Sequence, residues 1–475
     1  MSAELDILDI PRSAALRGIR RRIGLDWLGH PSAYAIGVCL VSLLSMGTTL
    51  IIPRLLDPAA FGSFALLGTL FQYAARSDLG LSQLADRDLA SRPHAAAARS
   101  AEILQASWAL GLIGVVVLTP VAVAAALASG RFAPLDAALA VIGGVLGMVA
   151  HAPTMIYRAA SQHWDFTLLA LVQQAGLTAP RLAGLVLGGV TGCFAALALW
   201  SVLLLALFGQ PQRAFAWKIG PLAGMVRQAL PLFVFNGLWL AYMTSNRWVS
   251  AFLSAPEQLG LFAFGANLAM VGLAIVGAVA QVRYPKLLSG VASTPEATSA
   301  MFEHEARRVG LVLAGIALLA IFLTGPVIAL LFPGYEAATS ATIGLALSCV
   351  PLGVVAWTIP MAMVLTDKPL VEALRLFVPA LVVLVALIVV GDSYAGIAGQ
   401  GWGCALAGLL TFVGLVAMLR RARIVAAVEA RRMAATQIVL ASVIALTAAV
   451  WRQQTAPSAE RTHSATFTAQ TSSDR

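Results

Sequence analysis

Charged residues are scarce in this chain of 475 residues. Asp, Glu, Lys and Arg together make up 11% of it, whereas 59% of the residues are hydrophobic and the mean hydropathy is +0.85. A soluble protein of this length carries charge on about a quarter of its residues, because its surface must face water. The composition therefore excludes a soluble protein and predicts an integral membrane protein.

Cysteine is scarce as well. The four cysteines, Cys39, Cys193, Cys349 and Cys404, fall in or beside apolar runs, and none forms a CxxC pair. This pattern argues against a disulfide framework and against a cysteine metal site. The phosphate-binding sequence GxxxxGK[ST] is also missing, so we expect neither a nucleotide-driven motor nor a cofactor in this chain.

Positive charge is nearly missing from one of the two sets of loops. If the amino end is cytoplasmic, the outward loops carry only Arg54 and Arg131. The inward connections include Arg87, Arg92, Arg99, Arg158, Arg213, Lys218, Arg283, Lys286, Lys368, Arg420 and Arg421. Loops rich in Lys and Arg resist translocation, so the bias predicts a multi-pass membrane protein with both ends cytoplasmic. The net charge of +9 then faces anionic membrane lipids, and no nucleic-acid partner is expected.

Twelve apolar runs approach the length of about 20 residues that a helix needs to cross the hydrocarbon core. They are 33–52, 59–81, 103–128, 137–157, 166–187, 193–208, 230–252, 259–282, 309–331, 343–365, 370–390 and 396–419. The predicted domains are an amphipathic cytoplasmic segment (1–30), a first lobe (31–208), a cytoplasmic linker (209–228), a second lobe (229–419) and a basic segment (420–475). In the last of these, 434–450 is either a further span or a surface helix, and a disordered tail follows it.

A short motif recurs in the two sets of six spans. The sequence PAAFGSFA begins at Pro58, and PEQLGLFA begins 198 positions later at Pro256, where each leads into a span. An even number of spans separates the copies, so both have the same orientation. Parallel repeats of this kind commonly form a substrate site at their interface. Chance recurrence of a Pro–Gly turn is the alternative, which the repeated span pattern disfavours.

The stretch LIIPRLLDPAAFG (50–62), continuing to RSDLGLSQLADRDLA (76–90), resembles the start of bacterial Wzx-type flippases for O-antigen and exopolysaccharide. Their superfamily includes the multidrug and toxin exporters (MATE) and the lipid II flippases. The resemblance implies an all-α, MATE-like fold, with about twelve spans in two six-helix lobes around a central cavity. It also implies a lipid-linked sugar as substrate.

The expected function is transport of an undecaprenyl-diphosphate-linked oligosaccharide across the inner membrane by alternating access, beside other polysaccharide-assembly proteins. A MATE-type drug and ion antiporter is the main alternative. A membrane-embedded polymerase or glycosyltransferase is a further one, but outward connections of about five to eleven residues leave no room for an external catalytic site. We therefore expect a transporter rather than an enzyme.

Ionisable side chains inside spans mark candidate site residues, since each costs at least about 2.5 kcal/mol to insert. Guanidinium groups keep their charge and bind phosphate through two parallel hydrogen bonds, which suits a diphosphate. The substrate-binding candidates are Arg181, Arg247, Arg76, Arg375 and Asn246. Asp78 and Glu372 are candidates for ion or proton coupling.

Each candidate also has a structural interpretation. Arg181 and Arg247 lie a turn or two from the outer ends of their spans and can extend to the lipid headgroups. Glu372 and Arg375 are three positions apart on a helix and can pair with each other. Arg76 and Asp78 can be an ion pair that bounds the cytoplasmic end of the second span. His151 is a candidate proton carrier or a hydrogen-bonded core histidine.

Overall fold

The chain folds into helices throughout its described part. The computed structural model describes residues 31–91, 96–159, 162–208, 219–290 and 294–455. Within these ranges there are twelve α-helices and one turn of 3-10 helix, and no strand. The predicted segment 1–30 and the predicted tail from 456 onward lie outside the described residues.

Six helices come from the first half of the chain and six from the second. The first six are α1 (Pro31–Leu55), α2 (Pro58–Ala74), α3 (Leu81–Ser91), α4 (Ala96–Ser129), α5 (Pro134–Ala159) and α6 (His163–Phe208). The others are α7 (Ile219–Leu253), α8 (Pro256–Gly290), α9 (Pro295–Leu331), α10 (Thr339–Leu365), α11 (Pro369–Arg421) and α12 (Ala427–Thr455). The 3-10 turn Glu336–Ala338 precedes α10. Proline begins many of these helices because its missing N–H would have no partner in the first turn.

Two of the helices, α6 and α11, each contain two of the predicted spans. Their backbones leave the helical conformation at Gly188 and Gly189 in α6, and at Ala395 and Gly396 in α11. Gly189 (φ 60°, ψ −146°) and Gly396 (φ 54°, ψ −139°) adopt a conformation that is almost restricted to glycine. Each long helix is therefore a tight hairpin of two membrane crossings.

Eight helices in the described part are long and apolar enough to cross a membrane by their length and composition. The hairpins α6 and α11 count once each among these eight. When their two arms are counted separately and α1, α2 and α7 are added, the total is thirteen crossings. Twelve of them correspond to the twelve predicted runs, and the thirteenth is α12. The apolar runs of the sequence thus correspond to helices of the structure.

The ends of the helical bundle differ in charge. We call the end that holds Arg158, Lys368 and Arg420 the basic end, and the end that holds Arg54 and Arg131 the far end. Two clusters of buried apolar side chains run through the bundle, one mainly in the first half of the chain and one in the second. The predicted lobe boundaries remain a prediction, although the structure begins α7 at Ile219, inside the predicted linker 209–228.

Hydrogen bonds connect the two halves of the chain at the far end. Arg54 Nε donates to the carbonyl of Leu331 at 3.0 Å, and Arg131 donates to the carbonyl of Ser254 at 3.1 Å. In these bonds a charged donor meets a backbone acceptor, which makes them stronger than neutral ones. The two halves of the chain are therefore in direct contact at the far end.

Tyr335 adds a third connection at the far end. Its hydroxyl donates to the carbonyl of Leu56 at 2.9 Å, and its ring packs edge-on against Phe61 and beside Phe264. Burial, and then the nearby Asp57 carboxylate, raise the pKa of Tyr335. The hydroxyl therefore stays protonated at neutral pH and keeps its proton for this bond.

The last helix, α12, lies alongside α9 over most of its length. Ser299 accepts a hydrogen bond from the backbone N–H of Ala426 at 2.9 Å, just before α12 begins. Further along, Gln437 donates to the carbonyl of Ala306 at 3.4 Å. Near the far end, Trp451 packs edge-on against Phe322, with ring centroids 4.9 Å apart.

The two helices therefore run parallel from the basic end toward the far end. The segment 434–450 was predicted to be either a further span or a surface helix, and this geometry agrees with a span. The helix α12 is also longer than the predicted run. With α12 as a thirteenth crossing, its end at Thr455 lies opposite its start. We expected both ends of the chain on the same side of the membrane. An even number of crossings, such as twelve, gives that arrangement, whereas thirteen crossings place the two ends on opposite sides.

Candidate functional site

A large cavity lies inside the first half of the bundle. Its volume is about 600 Å³, and all of its lining residues lie between Gly37 and Leu204. The cavity is bordered by α1, α4, α5 and both arms of α6, and by the junction of α2 with α3. We call it the first-lobe cavity. Its size lies in the range of about 300–1,000 Å³ that is typical of small-molecule sites.

Arg76 and Asp78 both line this cavity. Arg76 is exposed, whereas Asp78 is partly buried. The carboxylate of Asp78 accepts the backbone N–H groups of Gly80 at 3.2 Å and Ser82 at 2.9 Å. Asp78 therefore caps the start of α3, and the structure records no ion pair between it and Arg76 in the described residues. The pairing that we considered for these two residues is not found.

His151 lies in the wall of the same cavity. Its Nδ1 lies 2.8 Å from Oε1 of Gln173, and Nε2 of that glutamine donates to the carbonyl of Ala150 at 2.9 Å. The histidine is thus held by a partner on the neighbouring helix. This geometry fits the interpretation of His151 as a hydrogen-bonded core residue.

Arg247 and Asn246 lie together in the second half of the bundle, beside a small cavity of about 30 Å³. Arg247 is 6% exposed, and one of its terminal nitrogens donates to Oδ1 of Asn267 at 2.6 Å. Its Nε and the Oδ1 of Asn246 are buried without a hydrogen-bond partner. Because the guanidinium is enclosed by protein, it does not extend to the headgroups as the structural interpretation assumed.

Arg181 lies on α6 in the first half of the bundle, at some distance in the chain from the other candidates. Its guanidinium stands over the ring of Phe64, with 5.0 Å between Cζ and the ring centroid. Its Nε is buried without a hydrogen-bond partner. A cation over an aromatic face is stabilised by the ring quadrupole, so Phe64 holds the orientation of this guanidinium.

Glu372 and Arg375 form an ion pair at 3.0 Å in the first turns of α11. The side chain of Arg375 is 54% exposed, and that of Glu372 is 9% exposed. An ion pair with one exposed partner contributes about 0–1 kcal/mol. The geometry agrees with the structural interpretation of these two residues, which lie apart from both cavities.

The candidates therefore fall into four places rather than one. Arg76 and Asp78 share the first-lobe cavity, Asn246 and Arg247 share the small cavity, Glu372 and Arg375 pair with each other, and Arg181 stands on Phe64. No cluster of three His, Cys, Asp or Glu side chains that could hold a metal ion occurs in the residues that the structure describes.

Several uncharged polar residues of the first-lobe cavity were missed in the sequence. Thr154, Thr167, Gln83 and Trp200 line it, and each has a buried side-chain oxygen or nitrogen without a hydrogen-bond partner. A polar residue in an apolar run is most often a packing contact between helices. These four residues differ from ordinary packing residues only because they line the same cavity. The spacing of residues in the sequence does not show which side chains meet at one cavity.

Solved transporter structures share this fold. The lipid II flippase MurJ, in an inward closed conformation, matches with a TM-score of 0.58 at 11% identity, over 87% of this chain and 92% of its own. A mutant of the Vibrio cholerae MATE transporter VcmN matches with a TM-score of 0.54 at 16% identity, over 86% and 98%. The MATE multidrug transporter DinF-BH gives a TM-score of 0.54 at 15% identity, over 86% and 95%.

At these identities the likeness shows the fold alone, and it confirms the predicted all-α, MATE-like membrane fold. No curated protein matches the sequence of this chain. The family of polysaccharide biosynthesis proteins does match it, over residues 31–290, which is more than half of the chain. The resemblance to Wzx-type flippases seen in the sequence is thereby confirmed, and the chain belongs to the polysaccharide biosynthesis protein family.

Proposed function

We propose that this protein moves an undecaprenyl-diphosphate-linked oligosaccharide from the cytoplasmic to the periplasmic face of the bacterial inner membrane. Membership of the polysaccharide biosynthesis family and a fold shared with flippases and transporters support a transport role. The basic end of the bundle faces the cytoplasm in this proposal, because loops rich in Lys and Arg stay on that side.

The observation that carries the choice of substrate is the state of two guanidinium groups, of which Arg247 is buried and Arg181 is half-buried. Arg247 and Arg181 each have a buried Nε without a partner, and in the described residues neither forms an ion pair with a carboxylate. A buried charge without a counter-charge is costly unless a ligand supplies one. A diphosphate supplies negative charge and acceptor oxygens for such donors.

The mechanism that we propose is alternating access. In the conformation described, the hydrogen bonds of Arg54, Arg131 and Tyr335 join the two halves of the chain at the far end. Opening of these contacts, together with closure at the basic end, would carry the headgroup across while the lipid tail remains in the bilayer. Each of the three bonds joins a side chain to a backbone carbonyl, so the contacts can break and re-form without a change in the helices themselves.

Transport of a labelled lipid-linked glycan by the purified chain in sealed liposomes tests this function. We expect flipping without ATP when an ion gradient or a glycan gradient is present, since no nucleotide-binding loop occurs in the sequence. Liposomes without protein and liposomes with Arg247→Ala are the controls. A strict requirement for ATP hydrolysis by the purified chain would contradict the mechanism.

A drug exporter of the same fold is the second candidate function. The charge of the substrate distinguishes it from the flippase. Cationic drugs need acidic residues in the transport pathway, whereas the two cavities described above are lined by three arginines, Arg76, Arg158 and Arg247, and by one carboxylate, that of Asp78. Efflux of cationic dyes from the same liposomes, with no movement of the lipid-linked glycan, would favour the exporter.

A further inference from the structure

The first-lobe cavity contains buried polar groups that nothing in the protein satisfies. Thr154 is 0% exposed and Thr167 is 2% exposed, and the hydroxyl of each lacks a hydrogen-bond partner. Nε1 of Trp200 and Oε1 of Gln83 are also buried without a hydrogen-bond partner. All four residues line the cavity. Buried polar groups in folded proteins are normally paired, so a set of four around one cavity indicates an occupant.

The lining of the cavity contains donors and more positive than negative charge. The two threonine hydroxyls and the indole N–H can donate, and the guanidinium groups of Arg76 and Arg158 line the same space. Asp78 is the carboxylate in the lining, and its oxygens already accept the N–H groups that begin α3. The cavity therefore suits an occupant that carries negative charge and accepts hydrogen bonds.

The size and shape of the occupant follow from the volume and the apolar part of the lining. A volume of about 600 Å³ is many times that of one water, which takes about 30 Å³ in the liquid. It also exceeds what an inorganic anion fills. Phe71, Phe166 and Trp200 contribute aromatic surface to the wall, and the C–H faces of a pyranose ring pack well against such surfaces.

We propose that the first-lobe cavity binds one anionic sugar unit, meaning a sugar that carries a phosphate or a carboxylate. Thr154 and Thr167 would donate to it, and Arg76 would supply the positive charge. The inference rests on the proposed function for the origin of this unit in the headgroup of the lipid-linked glycan. A soluble sugar phosphate from the cytoplasm has the same chemistry and is the other source.

Protection of an introduced cysteine tests the site without requiring transport. Ala152 lines the cavity, so Ala152→Cys, in a full-length chain whose native cysteines are replaced, places a thiol in the wall. The rate of its reaction with a small maleimide is measured in nanodiscs with glucose 1-phosphate, glucuronate, glucose or inorganic phosphate. We expect the two anionic sugars to slow labelling, and glucose and inorganic phosphate to have little effect. Asp367→Cys, at an exposed position in the turn before α11, controls for effects on the reagent.

Isosteric variants then test the donors. Thr154→Val and Thr167→Val each remove one hydroxyl from the cavity wall, so each is expected to raise the concentration needed for protection about tenfold. Thr69→Val is the matched control, because Thr69 is equally buried but bonds to the carbonyl of Ala65 outside the cavity. Equal labelling with every probe, or protection that is unchanged in both threonine variants, would overturn the proposal.

The source of the sugar is decided by competition. A lipid-linked glycan with an acidic sugar, added to the nanodiscs, should protect Ala152→Cys if the headgroup is the ligand. Protection by glucose 1-phosphate without protection by the lipid-linked glycan would assign the cavity to a soluble sugar phosphate and would overturn the headgroup origin. Failure of flipping in liposomes with normal protection would refute the proposed function and leave the cavity assignment standing.

Discussion

Gly62 on α2 and Gly260 on α8 lie against each other where the two halves of the chain cross. A Cβ atom added to Gly62 would lie 2.8 Å from the carbonyl oxygen of Pro256, and one added to Gly260 would meet the carbonyl oxygen of Pro58 even more closely. Each glycine thus faces the proline of the other motif copy. The two copies of the repeat, 198 positions apart, form a reciprocal contact, as expected for repeats related by a two-fold axis.

The first prediction follows from this contact. Gly260→Ala forces a methyl group against backbone rather than against a flexible side chain, so α2 and α8 must separate. We expect the far-end contacts to loosen and transport to fall. Spin labels at Ala59 on α2 and at Ala337 in the 3-10 turn, which are both exposed, should report a longer and broader distance distribution.

Gly68→Ala is the matched control, because a Cβ atom at Gly68 on the same α2 meets nothing within 4 Å. It should keep the wild-type distances. An unchanged distribution in Gly260→Ala would mean that the crossing does not determine closure of the far end.

The second prediction concerns the hydroxyl of Tyr335. Tyr335→Phe keeps the ring contacts with Phe61 and Phe264 but removes the hydrogen bond to the Leu56 carbonyl. One such bond contributes about 1 kcal/mol, which corresponds to roughly a fivefold shift in a two-state equilibrium. Maleimide labelling of a cysteine at Ala338, which is 0% exposed beside Tyr335, should therefore be faster in Tyr335→Phe. Labelling at the wild-type rate would show that the bond does not bias the equilibrium.

The third prediction concerns the side on which the chain ends. Because α12 runs parallel to α9, a cysteine at Ser464, beyond α12, should react with an impermeant reagent from the same side as one at Ala337. A cysteine at Asp367 should react only from the opposite side. These measurements use intact cells and inverted vesicles, with native cysteines replaced. If Ser464→Cys reacts together with Asp367→Cys, α12 does not cross the membrane.

Much of the fold could be predicted because long apolar runs determine where helices cross a membrane. The hairpins show what this signal leaves out. Gly184 packs against the backbone of Gly192, and Gly391 packs in the same way against Gly399. The two glycine pairs are 207 positions apart in the sequence, so the repeat extends to the ends of both halves. The apolar runs around these pairs do not indicate the hairpins. Hydropathy gives a glycine that packs against a neighbouring backbone the same value as any other glycine.

The length of α12 was underestimated for a related reason. Arg431 and Arg432 made its first turns look like a polar connection, so the predicted run began only at position 434. The structure places Gln437 against α9, where it is 1% exposed and reaches the carbonyl of Ala306. A partner helix, which the sequence of α12 alone does not reveal, satisfies that amide.

The sequence could predict which types of residue belong to the candidate site, but it could not predict which of these residues lie together. An arginine inside a span indicates a functional or paired residue, and this signal selected both Arg247 and Arg375. The structure separates them, because Arg247 is enclosed beside Asn267 whereas Arg375 points outward beside Glu372. The rotation of each helix about its axis decides this, and it depends on packing with other helices.

The last prediction tests whether Arg247 and Arg181 bind phosphate. Arg247→Ala removes a buried cation, so glycan export should fall by about tenfold or more, since a hydrogen bond to a charged group contributes about 1.5–3 kcal/mol. Arg181→Ala should act in the same direction. Arg307→Ala, an exposed residue on α9, is the matched control and should leave export near normal. Export is compared at equal amounts of protein in the membrane.

The lysine variants separate binding of a diphosphate from a structural role. Lysine keeps the charge but loses the planar pair of donors, so Arg247→Lys and Arg181→Lys should restore export only in part. For Arg247 the geometry sharpens this expectation, because one terminal nitrogen is already bonded to Asn267 at 2.6 Å and the rest of the guanidinium remains for a ligand. An ammonium group has three donors, but they radiate from one atom and cannot form the two parallel bonds of a guanidinium to a diphosphate. Full export by both lysine variants would show that charge alone is needed, and these arginines would then have no part in gripping a diphosphate.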